Sequence, residues 1–429
     1  MILTNTKYRI SPALWEEPRC FWCTGGVEEI VKLRELPPDS RSKWEFRLVQ
    51  SGTSFYEIQG HDGYLYIDGA KLKSTTKDLL LNAFSFKQHG AYFSIAQRQA
   101  SVSLLACEDG NLGNSTDIQV YAHSFKTDNW TDFSKIPGDA FPYLWKLDRA
   151  DIRPGSWMDQ LPDKTKKLNE LAICGTHDSC TWKWSSANYS RTQDLTVLEQ
   201  LKIGIRYLDI RLGPDFETYH GGKNDVSFQD VIDDIAAFLA QNRNETIIMV
   251  IAGGDGLASF AADLRAVVNR TSTRVTNKLN WFSENRVPAL NEVPGKVVLL
   301  RRYKDEQPNA PGIDLSMWGP VHQNDSFSVD GISGVSSIKV QDEYSLTQNS
   351  TKKGYIETLL PSMATAALTR DNWYMNFTSA AKLQKPSWYS NDINPWLGAQ
   401  LNFHTFMRGT FVMDYPSPAI VDRIVQFNF

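Results

Sequence analysis

The chain has 429 residues, enough for two or three domains with sizeable cores. Hydrophobic residues make up 41% and charged residues 22%, the balance of an ordinary globular protein, and the net charge of −4 offers no basic face to nucleic acid. No apolar run reaches the roughly 18 residues that a membrane-spanning helix needs.

The opening Met1-Ile2-Leu3-Thr4-Asn5-Thr6-Lys7 has no apolar core of a secretory signal, so a cytoplasmic or non-classically exported chain is expected. The cysteines Cys20, Cys23, Cys107, Cys174 and Cys180 leave at least one thiol unpaired, as a reducing compartment would allow. Cys20-Phe21-Trp22-Cys23 has zinc-like spacing without a second ligand pair, and packed thiols rather than a metal are expected. Sequons at Asn114, Asn129, Asn188, Asn244, Asn269, Asn324, Asn349 and Asn376 leave secretion open.

Residues 1–135 read as an all-β domain of short strands broken by Gly, Asp and Ser. Trp44–Val49 and Phe84–Lys87 each open a similar unit, which passes through Phe55–Ile58 or Tyr92–Ile95 and closes on Tyr64–Gly69 or Leu104–Gly110. The offset is about 40 residues, a period that implies stacked β units. Three such units resemble a ricin-type β-trefoil, with a β-sandwich as the rival. The trefoil implies glycan binding, with Tyr64 or Tyr66 near Asp62 and Asp68 as sugar platforms. Residues 136–162, with Pro137, Gly138, Pro142, Pro154 and Gly155, read as a linker.

From residue 163 to 429 strands and helices alternate. Ser227 caps a helix to Asn242 whose stripe is Phe228, Val231, Ile232, Ile235 and Leu239. Thr246–Ile251, Lys296–Arg301, Ile338–Asp342 and Thr410–Asp414 read as strands, and Leu257–Phe282 as mostly helical. Continuous apolar strands between helices predict a parallel sheet buried on both faces. Their number suggests an irregular TIM-like (β/α)8 barrel, whose chemistry sits at the C-terminal strand ends.

Several strand ends carry chemistry-bearing residues. Leu171–Thr176 leads into His177-Asp178-Ser179, Gly204–Leu208 into Asp209-Ile210-Arg211, and Tyr219-His220-Gly221 follows. Two histidines and an arginine at neighbouring strand ends suggest acid–base catalysis on a phosphate ester.

These segments, together with Glu245–Met249, Gly295–Arg302, Gln341-Asp342-Glu343-Tyr344 and Val412-Met413-Asp414-Tyr415-Pro416, resemble the bacterial-type phosphatidylinositol-specific phospholipase C catalytic domain. The resemblance implies an irregular (β/α)8 barrel. It also implies cleavage of phosphatidylinositol to diacylglycerol and inositol 1,2-cyclic phosphate at a membrane surface. On it, His177 is the general base, Asp414 its dyad partner, His220 the general acid, Asp178 an aid on the acid side and Arg211 the phosphate clamp. Asp342, Tyr344 and one of Arg301 and Arg302 would contact inositol. Calcium-dependent relatives have asparagine after the first histidine and an acidic ligand where Arg211 stands. The implied enzyme therefore needs neither metal nor other cofactor. The family's lysine and acidic inositol contacts fall on Ala252 and Gly254, so part of the headgroup pocket is missing.

Trp182 and Trp184 beside the first histidine, and Trp388 in a late loop, are candidate membrane contacts, because an indole suits the headgroup region. Packing is the equal alternative for the first two. Asp209 could simply pair with Arg206 or Arg211, Arg206 reads as structural, and His322 and His404 fall outside every motif. The alternative function is a carbohydrate-binding or interaction protein with a retired barrel. A metal-dependent glycerophosphodiester-type enzyme would need an acidic cluster where Arg211 stands.

Overall fold

The structure, a computed structural model, describes residues 152–429 except 186–188, 255–257, 319–325, 366–370, 402–403 and 405. Of residues 1–151 it describes the backbone of twelve strands. The chain divides into two units, residues 1–152 with 402–405 and residues 153–401 with 406–429.

The strands of the first unit are Lys7–Pro12 (β1), Arg19–Trp22 (β2), Lys32–Glu35 (β3), Trp44–Leu48 (β4), Phe55–Gln59 (β5) and Tyr64–Asp68 (β6). Lys71–Thr75 (β7), Ala83–His89 (β8), Tyr92–Gln97 (β9), Ser103–Cys107 (β10), Ile118–Ser124 (β11) and Trp145–Arg149 (β12) follow. Every pairing is antiparallel. β1 pairs β4, β4 pairs β5, β5 pairs β8, β8 pairs β9, β9 pairs β12, and β12 pairs β1. β2 with β3, β6 with β7 and β10 with β11 make three further pairs.

The stretch 136–162, expected to be a linker, is not a free tether. β12 lies inside it, and Trp157 and Met158 are fully buried in the second unit. Within its described part, Pro154 and Gly155 stand in a short 3-10 turn. The readings on Cys23, on the sequons at Asn114, Asn129, Asn188 and Asn324, and on His322 lie outside the described residues, and those on Cys20, Tyr64 and Tyr66 concern side chains outside the description.

In the second unit, aliphatic and aromatic residues make strands largely buried on both faces. These are Ala172–Thr176 (β13), Tyr207–Leu212 (β14), Ile247–Gly253 (β17), Lys296–Arg302 (β19), Ser337–Gln341 (β22), Asn372–Phe377 (β23) and Gly409–Met413 (β24). Shorter strands are Glu217–Tyr219 (β15), Lys223–Ser227 (β16), Asn280–Phe282 (β18), Ile313–Asp314 (β20) and Phe327–Val329 (β21). The parallel order is β18, β19, β17, β14, β13, β24, β23, β22. Among the described residues no ladder joins β22 or β21 back to β19, so the barrel is open on that side. The expected eight-stranded barrel is thus a mixed α/β half-barrel of TIM-like layout.

The helices are Val197–Lys202 (α1), Phe228–Gln241 (α2), Ala258–Val268 (α3), Asn349–Met363 (α4), Pro386–Leu401 (α5) and Pro418–Gln426 (α6). α2 starts where Ser227 and Asp230 form a reciprocal capping box, with the expected stripe buried. The helix expected to run to Phe282 stops at Val268. Arg270 turns into the left-handed region at φ 60°, and the amides of Thr271 and Ser272 both donate to the Ala266 carbonyl. Trp388 lies in the first turn of α5, not in a loop. Asn376 is fully buried, its Nδ2 donating to the Ile356 carbonyl at 2.9 Å, so that sequon cannot carry a glycan in the folded chain.

At the N-terminal ends of the strands, buried Arg206 faces Glu245 through Nε at 2.7 Å and Nη2 at 2.6 Å. The guanidinium stacks on Phe238, 4.8 Å from the ring centre. The same carboxylate accepts the Asp159 amide at 2.7 Å, which ties the 153–161 segment to the barrel floor. Arg206 is structural, as its sequence context suggested.

Candidate active site

The C-terminal strand ends of β13, β14 and β24 bring four charged groups together, and His220, one residue after β15, joins them. His177 Nδ1 lies 2.8 Å from Asp414 Oδ1, although 237 residues separate them. Its Nε2 lies 3.0 Å from Asp178 Oδ2 and 3.1 Å from Arg211 Nη2. Arg211 Nε contacts Asp178 Oδ1 at 2.8 Å, and His220 Nε2 contacts Asp178 Oδ2 at 2.9 Å. The two imidazoles stand edge to face, 5.5 Å apart.

The backbone holds this cluster under constraint. Asp178 adopts φ 42° and Tyr415 φ 46°, a region that residues with a Cβ rarely visit and that persists only where surroundings enforce it. The Asp178 amide donates to Asp209 Oδ2 at 3.3 Å and the Ser179 amide to the Asp209 carbonyl at 2.9 Å. Gln193 Nε2 donates to the carbonyls of both His177 and Met413, at 2.8 and 3.0 Å, and so ties β13 to β24. Thr192 Oγ1 reaches the His177 and Asp178 carbonyls at 3.1 Å each. Gln200, buried on α1, spans Thr176 Oγ1 and the Ser179 carbonyl. None of these three polar residues stood out in the sequence. The Thr196–Glu199 capping box that starts α1 was the available signal for Gln200.

Electrostatics follow from the packing. Burial disfavours the charge on His177, but the carboxylates of Asp178 and Asp414 outweigh it and raise the group from 6.5 to about 9. Burial likewise opposes ionisation of Asp178, yet the charges of Arg211, His220 and His177 hold its carboxyl well below the usual range. Arg211 is held more firmly charged by Asp178 and Asp209 against the cost of burial. His220 Nδ1 donates to the Ser190 carbonyl at 2.6 Å while Nε2 faces Asp178. His177 Nε2 has two alternative partners: protonated it donates to Asp178, and neutral it accepts from Arg211.

His177, Asp178 and His220 place ligand atoms within 4.8 Å of one another, an arrangement a metal ion could use. Both Nδ1 atoms are committed elsewhere, and the Arg211 guanidinium already occupies the anionic side of Asp178. A cation there would sit against a fixed positive charge.

The remaining sequence candidates divide. Arg211, Ala252 and Arg302 are level on neighbouring parallel strands, so Arg302 shares the face of Arg211. Arg302 stacks over Trp318 at 4.3 Å and lies 4.0 Å from Asp342. Arg301 points to the other face and binds Asp314 at 2.7 Å. Asp342 is buried, and burial raises its carboxyl despite Arg302, His177, Lys352 and Arg211. Tyr344, 38% exposed, stands two residues on. Asp209 faces Arg211 at 3.6 Å and not Arg206. Gly253 and Gly254 have φ of 133° and 72°, and an added Cβ would meet the Leu212 carbonyl and the Phe260 ring. The backbone path itself therefore bars a side chain at these two positions. Trp182 and Trp184 are half-buried, Trp184 Nε1 donating to the Lys223 carbonyl at 3.2 Å, whereas Trp388 is 47% exposed.

The C-terminal mouth of an open parallel barrel thus gathers paired imidazoles, carboxylates and a guanidinium, residue types suited to proton transfer beside an anion. Residues 168–303 match the family described as phosphatidylinositol-specific phospholipase C, X domain. The chain is 28% identical over 306 residues to a Staphylococcus aureus protein named 1-phosphatidylinositol phosphodiesterase, covering 66% of this chain and 96% of the relative. Its namesake in Listeria monocytogenes is 25% identical over 292 residues, covering 65% and 87%. A solved S. aureus phosphatidylinositol-specific phospholipase C superposes with a TM-score of 0.56 at 28% identity over 65% of this chain and 98% of the other. The Listeria enzyme gives 0.52 at 25% identity, covering 65% and 99%. The second unit has the fold of these phospholipases.

Proposed function

We propose that the second unit cleaves phosphatidylinositol-type lipids at a membrane surface, without a metal, to diacylglycerol and inositol 1,2-cyclic phosphate. The observation that carries this reading is the arrangement of His177 and His220 on either side of the Arg211–Asp178 pair. The names of the relatives and of the matching family supply the substrate class.

The chemistry follows from the geometry. A sugar hydroxyl is a weak nucleophile, and neutral His177 takes its proton at Nε2 while Asp414 fixes the ring through Nδ1. The 2-hydroxyl oxygen attacks phosphorus and the bond to the glycerol oxygen breaks. His220, protonated at Nε2, gives that leaving oxygen its proton. Asp178 holds His220 in place and orients Arg211, whose planar fork faces the charge developing on the phosphoryl oxygens. Arg302, Asp342 and Tyr344 form the headgroup wall. Arg301 is left out of it, because its charge is spent on Asp314. Trp388 is the preferred bilayer contact, with Trp182 and Trp184 behind it. Membrane binding is a property of the S. aureus enzyme whose structure matches, which agrees with a surface substrate.

For the first unit, our reading is a β-trefoil that binds glycans. Its support is the ring of six paired strands with three further pairs beside it.

The test of the catalytic roles is kinetic. His177→Ala and His220→Ala should each lower turnover by about 10²–10⁴-fold with the fold intact. A substrate whose leaving group needs no proton should rescue His220→Ala and not His177→Ala. Equal rescue of both, or of neither, contradicts the division of roles.

A further inference from the structure

Lys352 is a fully buried ammonium on α4 that the mechanism above leaves unused. Its Nζ donates to Gln341 Oε1 at 3.0 Å and to the Glu343 carbonyl at 2.6 Å. These are the two neighbours of Asp342. Both direct partners are uncharged, so no ion pair in contact repays the desolvation of the cation. A lysine kept in such a place is a candidate for function rather than for stability.

The charged groups that act on it are Asp342 and Glu343 after β22 and Asp414 after β24. Lys353, the next residue on α4, turns instead to Asp392 of α5 at 2.8 Å. The influence runs both ways, since Lys352 is among the cations that oppose the burial-driven rise of the Asp342 carboxyl.

We propose that Lys352 is a positioning residue for the headgroup wall: it clamps the Gln341 side chain and the Glu343 backbone on either side of Asp342. The inference rests on the phospholipase reading for its substrate and assigns Lys352 no contact with the reacting atoms. Asp342 then meets the inositol hydroxyls as an acceptor in a fixed place. Removing the clamp weakens binding of substrate and transition state alike, which appears in KM rather than kcat. Burial lowers the Lys352 ammonium to about 8, against the partial support of its three acidic neighbours. Headgroup binding should therefore weaken as pH passes about 8 and the charge is lost.

The experiment compares the full-length wild type with Lys352→Met on dispersed phosphatidylinositol in EDTA across pH 6–9.5. The variant should show KM raised about tenfold with kcat within about twofold, and the wild-type rise in KM above pH 8 should be absent from it. Identical KM values and pH profiles in the two proteins would overturn the inference while leaving the phospholipase reading intact. An inactive wild type would instead sink that reading.

A second measurement does not need turnover. A lysine with a lowered folded value destabilises the fold while protonated, so stability should rise as pH climbs from about 8 towards 10.5, where the unfolded chain still holds the proton. Wild type should gain on Lys352→Met by denaturant unfolding over that window. An unchanged difference between the two proteins at pH 7 and pH 10 would show that Lys352 is not a buried cation, and the inference would fail with it.

Discussion

Asp178 is the residue on which the site turns. Three positive groups converge on its two oxygens, at 2.8, 2.9 and 3.0 Å, while its own backbone is held at an unfavourable φ. Asp414 is one of the two carboxylates that raise His177, so Asp414→Asn should lower the His177 value. The limb of kcat/KM that reports base deprotonation should move to lower pH, while the maximal rate falls less than in His177→Ala. A limb that stays in place would mean that Asp414 does not govern His177. There is also a stability consequence. The folded value of about 9 exceeds the ordinary 6.5, so the His177–carboxylate contribution is complete below about pH 6.5 and is lost as pH rises through 9. At this scale the sequence was informative about residue types and poor about partners. His177, Arg211 and His220 could be picked out as strand-end chemistry, but only the family resemblance joined His177 to Asp414 across the chain. Gln193 and Thr192, which lock the loop by bonding to carbonyls, have no signature, because such bonds read no side-chain pattern.

Elements with one strong physical cause were legible, and those with mixed causes were not. β17 and β19 carry continuous aliphatic runs, β24 ends in the apolar Phe411-Val412-Met413, and α2 has both a capping box and a clean stripe. α4 and α5 were missed because each contains a proline, Pro361 and Pro395, and neither has a distinct apolar face. Strand register, invisible in one sequence, separates Arg302 from Arg301. The floor of the barrel depends on a buried ion pair whose two members answer each other. Arg206→Met leaves Glu245 buried with fewer donors and should cost about 3–5 kcal/mol, because an uncompensated buried charge remains. The double variant Arg206→Met with Glu245→Gln should recover part of that loss. Urea unfolding of the singles and the double measures it, and simple additivity would show that the pair is not coupled.

At the scale of the whole molecule, composition and alternation of elements indicated an all-β unit followed by an α/β unit. The chain divides into two units after Ile152, with packed segments where a linker was expected. Within the expected linker, Trp145–Arg149 is a strand and Trp157 and Met158 are buried, because proline and glycine mark turns in a packed path as readily as in a tether. A chain begun at Arg153 keeps every proposed catalytic residue and the Trp157–Gly204 contact, and it should retain turnover on a soluble substrate. It should lose any binding to glycan-bearing vesicles that the full chain shows. A full-length protein that binds no glycan on an array would remove the sugar-binding reading of the first unit and leave the barrel's function untouched.

The central claim is that Arg211, not a metal ion, supplies the positive charge for cleavage of a phosphatidylinositol phosphodiester. Incubation of the full-length protein with phosphatidylinositol in excess EDTA, followed by phosphorus NMR, tests it most directly. The expected result is inositol 1,2-cyclic phosphate formed at a rate that added calcium does not raise. Absence of the cyclic product, or a rate that collapses in EDTA and returns with a divalent cation, would contradict it.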